Sequence, residues 1–214
     1  MIYDEMRTAH SSQAATISAG DRFFRTYQAH CLSPDTDTLF NLLNALHSMN
    51  DKLRKAHNRD LFSLKEFVAL KALRNLFHHQ DELLNDVRVL VVQDLPSIST
   101  DQIFVCLAPR ALVEIAISGI ELKRRKEDGP MAREALKWYG NVVNLNPCIF
   151  NLAVHIYEII NEIDLPLSSN AYFSFRERYE FEECNGYSHF ITGDISCLSG
   201  DVEAVLKVAF ADVA

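Results

Sequence analysis

The sequence predicts a mainly α-helical single domain: an antiparallel helical bundle followed by an irregular, aromatic-rich C-terminal addition. Apolar residues recur at helical spacing in three long stretches, over residues 39–53, 64–80 and 149–163. Short polar connections join neighbouring stretches, as antiparallel helical hairpins require. Beyond Ser168 the composition turns aromatic and glycine-bearing and loses its helical period. At 214 residues the chain can bury a full core. The bundle is assigned to residues 1–167, and residues 168–214 to an extension packed on the same domain.

The elements follow in chain order. Ile2, Tyr3 and Met6 open a weakly periodic helix that Gly20-Asp21 is expected to break, and R-F-F-R-T-Y-Q-A-H-C-L continues as a second helical piece. Ser33-Pro34-Asp35 turns the chain into a helix over 36–55, whose apolar face carries Leu39, Leu42, Leu43, Leu46, Met49, Asn50 and Leu53. After the short link 56–62, Ser63 with Glu66 three residues on has the form of a capping box, so a helix starts near Leu64. The run E-L-L-N-D-V-R-V-L-V-V fits a helix by its leucines and a strand by its β-branched residues, and helix is favoured. Pro109 suits the first turn of a helix over 111–125. Glu127-Asp128-Gly129-Pro130 punctuates the chain and opens a short helix through Tyr139, ended by Gly140. Asn146-Pro147 starts a helix to about Glu162, stopped by Asp164-Leu165-Pro166. His155 on that helix reads as a packing residue. The aromatic segment from 168 is expected to mix short strands, loops and a helical piece over 175–183, before a last helix over 201–210.

Composition narrows the function. The formal charge of −8 argues against broad, sequence-independent binding to a nucleic-acid backbone. No stretch approaches the roughly 20 apolar residues that span a bilayer, and the first residues carry early acids without an apolar secretory core. A cytoplasmic protein without membrane attachment is expected. Five scattered cysteines without C-x-x-C spacing fit reduced thiols. No phosphate-cradling glycine loop, G-x-S-x-G or H-E-x-x-H occurs. The basic run Lys123-Arg124-Arg125-Lys126 falls at the end of a predicted helix, where it complements the dipole or meets RNA phosphate.

The helix over 64–80 carries the chemistry. With Arg74 set at zero on a helical wheel, Phe67, Leu70, Leu73 and Phe77 form the apolar stripe and Arg74 lies on its edge. His78 is about 40° away and Lys71 about 60°, while His79 is rotated by about 140°. An arginine against an apolar stripe needs an anionic acceptor. That acceptor is a carboxylate, such as Asp81, Glu82 or one on another helix, or else a phosphate. Adjacent His78 and His79 cannot jointly hold a metal, a His78–Glu82 metal pair is the weaker reading, and no metal or cofactor is assigned. Arginine and histidine are the types that metal-free RNA cleavage uses: a proton carrier near neutral pH and a fixed cation for charge developing on phosphorus. One copy of each is sparse for two proton transfers, which a symmetric dimer would complete.

Arg74-Asn75-Leu76-Phe77-His78-His79 resembles the R-x4-6-H motif of the HEPN superfamily, where a polar residue often follows the arginine and the motif sits on a helix of an all-α bundle. The resemblance implies a homodimer with paired motifs lining a cleft. It implies a metal-independent endoribonuclease of toxin–antitoxin, phage-defence or RNA-processing systems, with an RNA substrate and an antitoxin or other protein partner. By that matching Arg74 stabilises phosphate, His79 is the catalytic histidine and Asn75 the polar helper. His78 is the alternative by helical geometry, and Lys71 an RNA contact. No tyrosine stands at 81 or 82, so the variant of the motif with a modifiable tyrosine is absent. Arg25 to His30 is a second match to the same spacing. The competing reading is a non-catalytic helical dimer or binding module in which Arg74 and His79 hold the structure.

Overall fold

The computed structural model describes residues 2–95 and 98–209, without the side chains of 2–11, 81–83, 206 and 209. It is 64% helical. Helix α1 (Ile2–Leu32) runs unbroken through Gly20-Asp21 and pairs antiparallel with α2 (Thr36–His57), with His30 bonded to Thr38 at one end and Thr16 to the Lys52 carbonyl at the other. The expected break is absent because these two residues serve packing. A Cβ on Gly20 would lie 2.9 Å from Leu167, and the buried Asp21 carboxylate accepts from the Ser168 and Ser169 amides at 3.1 and 2.8 Å. Glycine clears room for the crossing chain; aspartate holds it.

The reciprocal capping box belongs to α2, where Asp35 and Thr38 exchange side-chain and backbone bonds. Helix α3 (Lys65–His79) has no side-chain cap. Ser63 lies in the preceding turn, and Glu66 is buried with an oxygen 3.9 Å from His155. The expected Ser63–Glu66 box does not form, since an inward-turned Glu66 cannot reach back along the helix. The α2–α3 link is closed instead by Asn50, whose buried side chain accepts from the Leu61 amide at 2.9 Å. With Arg74 bonded to Asn44 in the next layer, α2 and α3 run antiparallel as expected.

A small antiparallel sheet follows, built from β1 (Arg88–Val91), β3 (Phe104–Pro109), β4 (Lys137–Tyr139) and β5 (Val142–Asn144), in the order β1-β3-β5-β4; β2 (Ile98–Thr100) lies between β1 and β3 in the chain. The helix favoured over 82–92 is therefore overturned at R-V-L-V, which is strand β1. Its β-branched residues pair with β3, Arg88 opposite Leu107 through Val91 opposite Phe104. Strand β3 reads as continuously apolar because both faces are covered: Cys106 and Ala108 enter the main core, Val105 and Leu107 a second small cluster with Leu90, Val92 and Leu95.

Helix α4 (Arg110–Ser118) stops seven residues short of the expected end, and α5 (Arg125–Ala135) runs straight through E-D-G-P with Pro130 inside it. The buried Asp128 explains why a helix forms here: its carboxylate takes a two-pronged bond from Arg124, at 2.9 and 3.3 Å. Gly140 is not a helix end. It stands at φ +58° in the two-residue link between β4 and β5, where a positive φ turns the hairpin. Lys123–Lys126 consequently sit at the start of α5 rather than the end of α4, so the dipole explanation fails.

Helix α6 (Asn146–Glu162) supplies Leu152, Ala153, Ile156 and Ile160 to the core. Helix α7 (Asn170–Asn185) makes the aromatic segment more regular than its composition indicates. Tyr172 and Phe175 pack on Phe24, and Tyr179 lies 4.6 Å, centroid to centroid, from Tyr157. The extension thus closes the bundle. Strand β6 (Ile195–Cys197) pairs with β2, and α8 (Val202–Ala209) ends the described chain; Phe210, expected in this last helix, lies outside the described residues. Among the described residues no helix is long and apolar enough to cross a membrane.

Candidate functional site

The C-terminal half of α3 presents two polar flanks. Toward α2 lie Arg74 and His78, one turn apart, opposite Asn44 and His47. Arg74 Nε donates to Asn44 Oδ1 at 3.1 Å, and a terminal guanidinium nitrogen reaches Asn75 Oδ1 at 3.5 Å. The Asn44 amide group is set for this role, because its nitrogen donates back to the Phe40 carbonyl at 3.0 Å and so turns its oxygen to the arginine. Both acceptors are neutral, so they orient the guanidinium without cancelling its charge. The side chains of Asp81 and Glu82, considered above as partners for Arg74 and His78, lie outside the described residues.

His47 completes this flank. Its Nε2 is 3.8 Å from Asp51, and its Nδ1 is buried without a partner. Burial holds its pKa below the ordinary histidine value, with Arg74, Lys71 and His78 pushing the same way against Asp51. That mutual repulsion places Lys71, Arg74, His47 and His78 within one electrostatic neighbourhood.

The second flank faces a groove of about 590 Å³ between α3 and the α4–α5 connection. Lys71, Asn75 and His79, spaced four residues apart, form its α3 wall, opposite Gly119, Lys123 and Arg124. Lys71 Nζ stands 4.3 Å from the centre of the Phe62 ring and the Arg124 guanidinium 4.2 Å from it. Burial, then the nearby Arg124, lowers the Lys71 pKa. Four cations line the groove, Arg54, Lys71, Lys123 and Arg124, against two carboxylates, Glu121 and Asp128. On a chain of charge −8 this is a locally basic surface.

Because α3 stays regular to His79, Arg74 and His79 do not share a flank. His78 stands beside Arg74, as helical geometry requires, and His79 belongs with Lys71 and Asn75. Lys71 also departs from the expected grouping, since it lines the His79 groove. Asn75 joins the two flanks through its bond to Arg74. His78 and His79 are both exposed, with ring centres 5.4 Å apart. Asn44 and His47 were missed by sequence reasoning; their one signal was their place on the polar edge of α2, which only the hairpin pairing connects to Arg74.

The second motif copy resolves differently. His30 is fully buried, its Nδ1 is 2.9 Å from Thr38 Oγ1, and burial lowers its pKa to about 4. It is a neutral packing residue. His155 packs on Phe190 and neighbours Glu66 and Glu158, as its position on α6 indicated. Cys106 and Cys148 are fully buried, and burial raises both thiols, Cys106 to about 12. Neither is poised as a nucleophile. Among the described residues, no three metal-ligating side chains converge. In comparisons with protein-family models, curated proteins and solved structures, none matches this chain.

Proposed function

We propose that this protein is a metal-independent endoribonuclease of HEPN type, acting in the cytoplasm as a homodimer that brings two α3 termini to one RNA strand. The supporting observation is the setting of Arg74: two neutral amide oxygens aim the guanidinium while leaving its charge for a phosphate. In this reading Arg74 stabilises charge on phosphorus, and an exposed histidine at the helix end moves the proton. Asn75 positions the arginine, and Lys71 draws the RNA backbone into the basic groove. Toxin–antitoxin or phage-defence settings, with a cognate protein partner, belong to the same reading.

The test is RNA cleavage in EDTA by wild type, Arg74→Ala, His78→Ala and His79→Ala, with the oligomeric state followed by sedimentation. Loss of at least 100-fold in Arg74→Ala and in one histidine variant supports the reading. Equal activity in all four proteins, or dependence on added metal, would sink it. The two histidine variants assign the proton carrier.

A second reading is favoured by the separation of Arg74 from His79 on the helix: a non-catalytic binding module in which Arg74 ties α3 to α2 through Asn44. It expects Arg74→Ala to weaken folding by about 1–3 kcal/mol, with no nuclease activity to lose.

A further inference from the structure

A second cavity, of about 480 Å³, opens where the end of α1, the start of β3, α6 and α7 meet. It shares no residue with the α3 site. Its walls carry aromatic rings, Tyr27, Phe104, Phe150 and Phe175 among them, interspersed with polar groups that include Asp101 and Glu182. Such size and lining are those of small-molecule sites, in which a few polar groups fix the ligand's orientation.

Three polar features converge on it. Asn146 is buried, with 7% of its surface accessible. Its amide nitrogen is used twice, donating to Gln102 Oε1 at 3.2 Å and to the Phe104 carbonyl at 2.9 Å. Its Oδ1 meets no donor among the described residues, which leaves an acceptor on the cavity wall. Arg178 lines the cavity, stands near enough to Tyr27 and Cys31 to influence both, and has no carboxylate within 4.0 Å among the described residues. Also on the wall, the His189 ring stacks on Tyr179 with centroids 3.6 Å apart, fixed by a 2.8 Å contact to Glu182. The two carboxylates on the wall are engaged, Asp101 by Thr192 and Gly193 and Glu182 by His189, so the cation, the acceptor and the flat apolar walls complement a ring system with an acidic group and a hydrogen-bond donor.

We propose that this cavity binds a small aromatic acid carrying an N–H or O–H donor, its acidic group on Arg178, its donor on Asn146 Oδ1 and its rings between the aromatic walls. Cys31, also on the wall, is held as a thiol by burial and serves as packing. The pocket is a binding site.

The probe is 1-anilino-8-naphthalenesulfonate, which has two aromatic units, an N–H and a sulfonate. Its neutral counterpart, N-phenyl-1-naphthylamine, lacks only the sulfonate. Fluorescence titration of the full chain should saturate at one probe per chain. Arg178→Gln should weaken the sulfonate about tenfold and leave the neutral amine unchanged. Ser174→Phe, which places a ring from α7 into the cavity, should abolish both without altering the circular dichroism spectrum, and Lys71→Gln in the other groove should change neither. Unsaturable binding, equal affinities in Arg178→Gln, or retention in a folded Ser174→Phe each overturns the proposal.

Discussion

Asn44 shows why single residues of the candidate site divide into legible and illegible ones. Arg74 and the two histidines were visible in the sequence because residue type and helical angle lie within one element. Asn44 and His47 act across thirty residues of chain, through a hairpin whose register no local pattern encodes. The same limit applies to His30. Its R-x4-H spacing matched the motif as well as that of Arg74, and burial against Thr38 and Phe104 takes it out of any site. A stability consequence follows from its pKa of about 4. Below its unfolded value of about 6.5, the unfolded chain takes up a proton that the folded one refuses, so stability falls as pH drops from about 6.5 towards 4. Urea unfolding at pH 7 and pH 5 should show wild type losing about 2 kcal/mol more than His30→Gln. Equal losses would mean the imidazole is charged in the folded protein.

At the scale of elements, the helices with amphipathic period were legible and their ends were not. Gly20-Asp21 illustrates the reason: glycine and aspartate are breakers by local propensity, yet here they receive another segment while α1 continues. Ser63 and Glu66 illustrate the converse, a local capping signal defeated because Glu66 is buried toward α6. Asp21 anchors α7 from a distance of 147 residues, through the Ser168 amide and hydroxyl and the Ser169 amide. Asp21→Ala should cost about 2 kcal/mol by orphaning these donors. Hydrogen exchange should accelerate first in the opening turns of α7 and much less in α2. Uniform acceleration would show that α7 has no independent docking step.

At the scale of the whole molecule, a net charge of −8 and a basic groove coexist because most of the acids lie elsewhere, while Lys71, Lys123, Arg124 and Arg54 converge on one face against two carboxylates, Glu121 and Asp128. Net composition registered the first and was blind to the second, since convergence depends on the α4–α5 turn lying against α3. In the ribonuclease reading proposed above, the two act at different ranges. Repulsion by the whole chain is screened beyond about 10 Å at 0.1 M salt, whereas cations touching the backbone release counterions directly. RNA affinity should therefore fall with added salt even though the protein is acidic. Lys71 is the most informative of the four cations. Arg124, Lys123 and Arg54 lie within 4.0 Å of Asp128, Glu121 and Asp51, while Lys71 stands over the Phe62 ring with no carboxylate that near among the described residues, so it is the cation most open to an arriving phosphate. Measured on a single-stranded RNA in the Arg74→Ala chain, which that reading expects not to cleave, Lys71→Gln should flatten the plot of log affinity against log salt by about 0.7. An unchanged slope would remove Lys71 from the RNA path, and the basic groove with it.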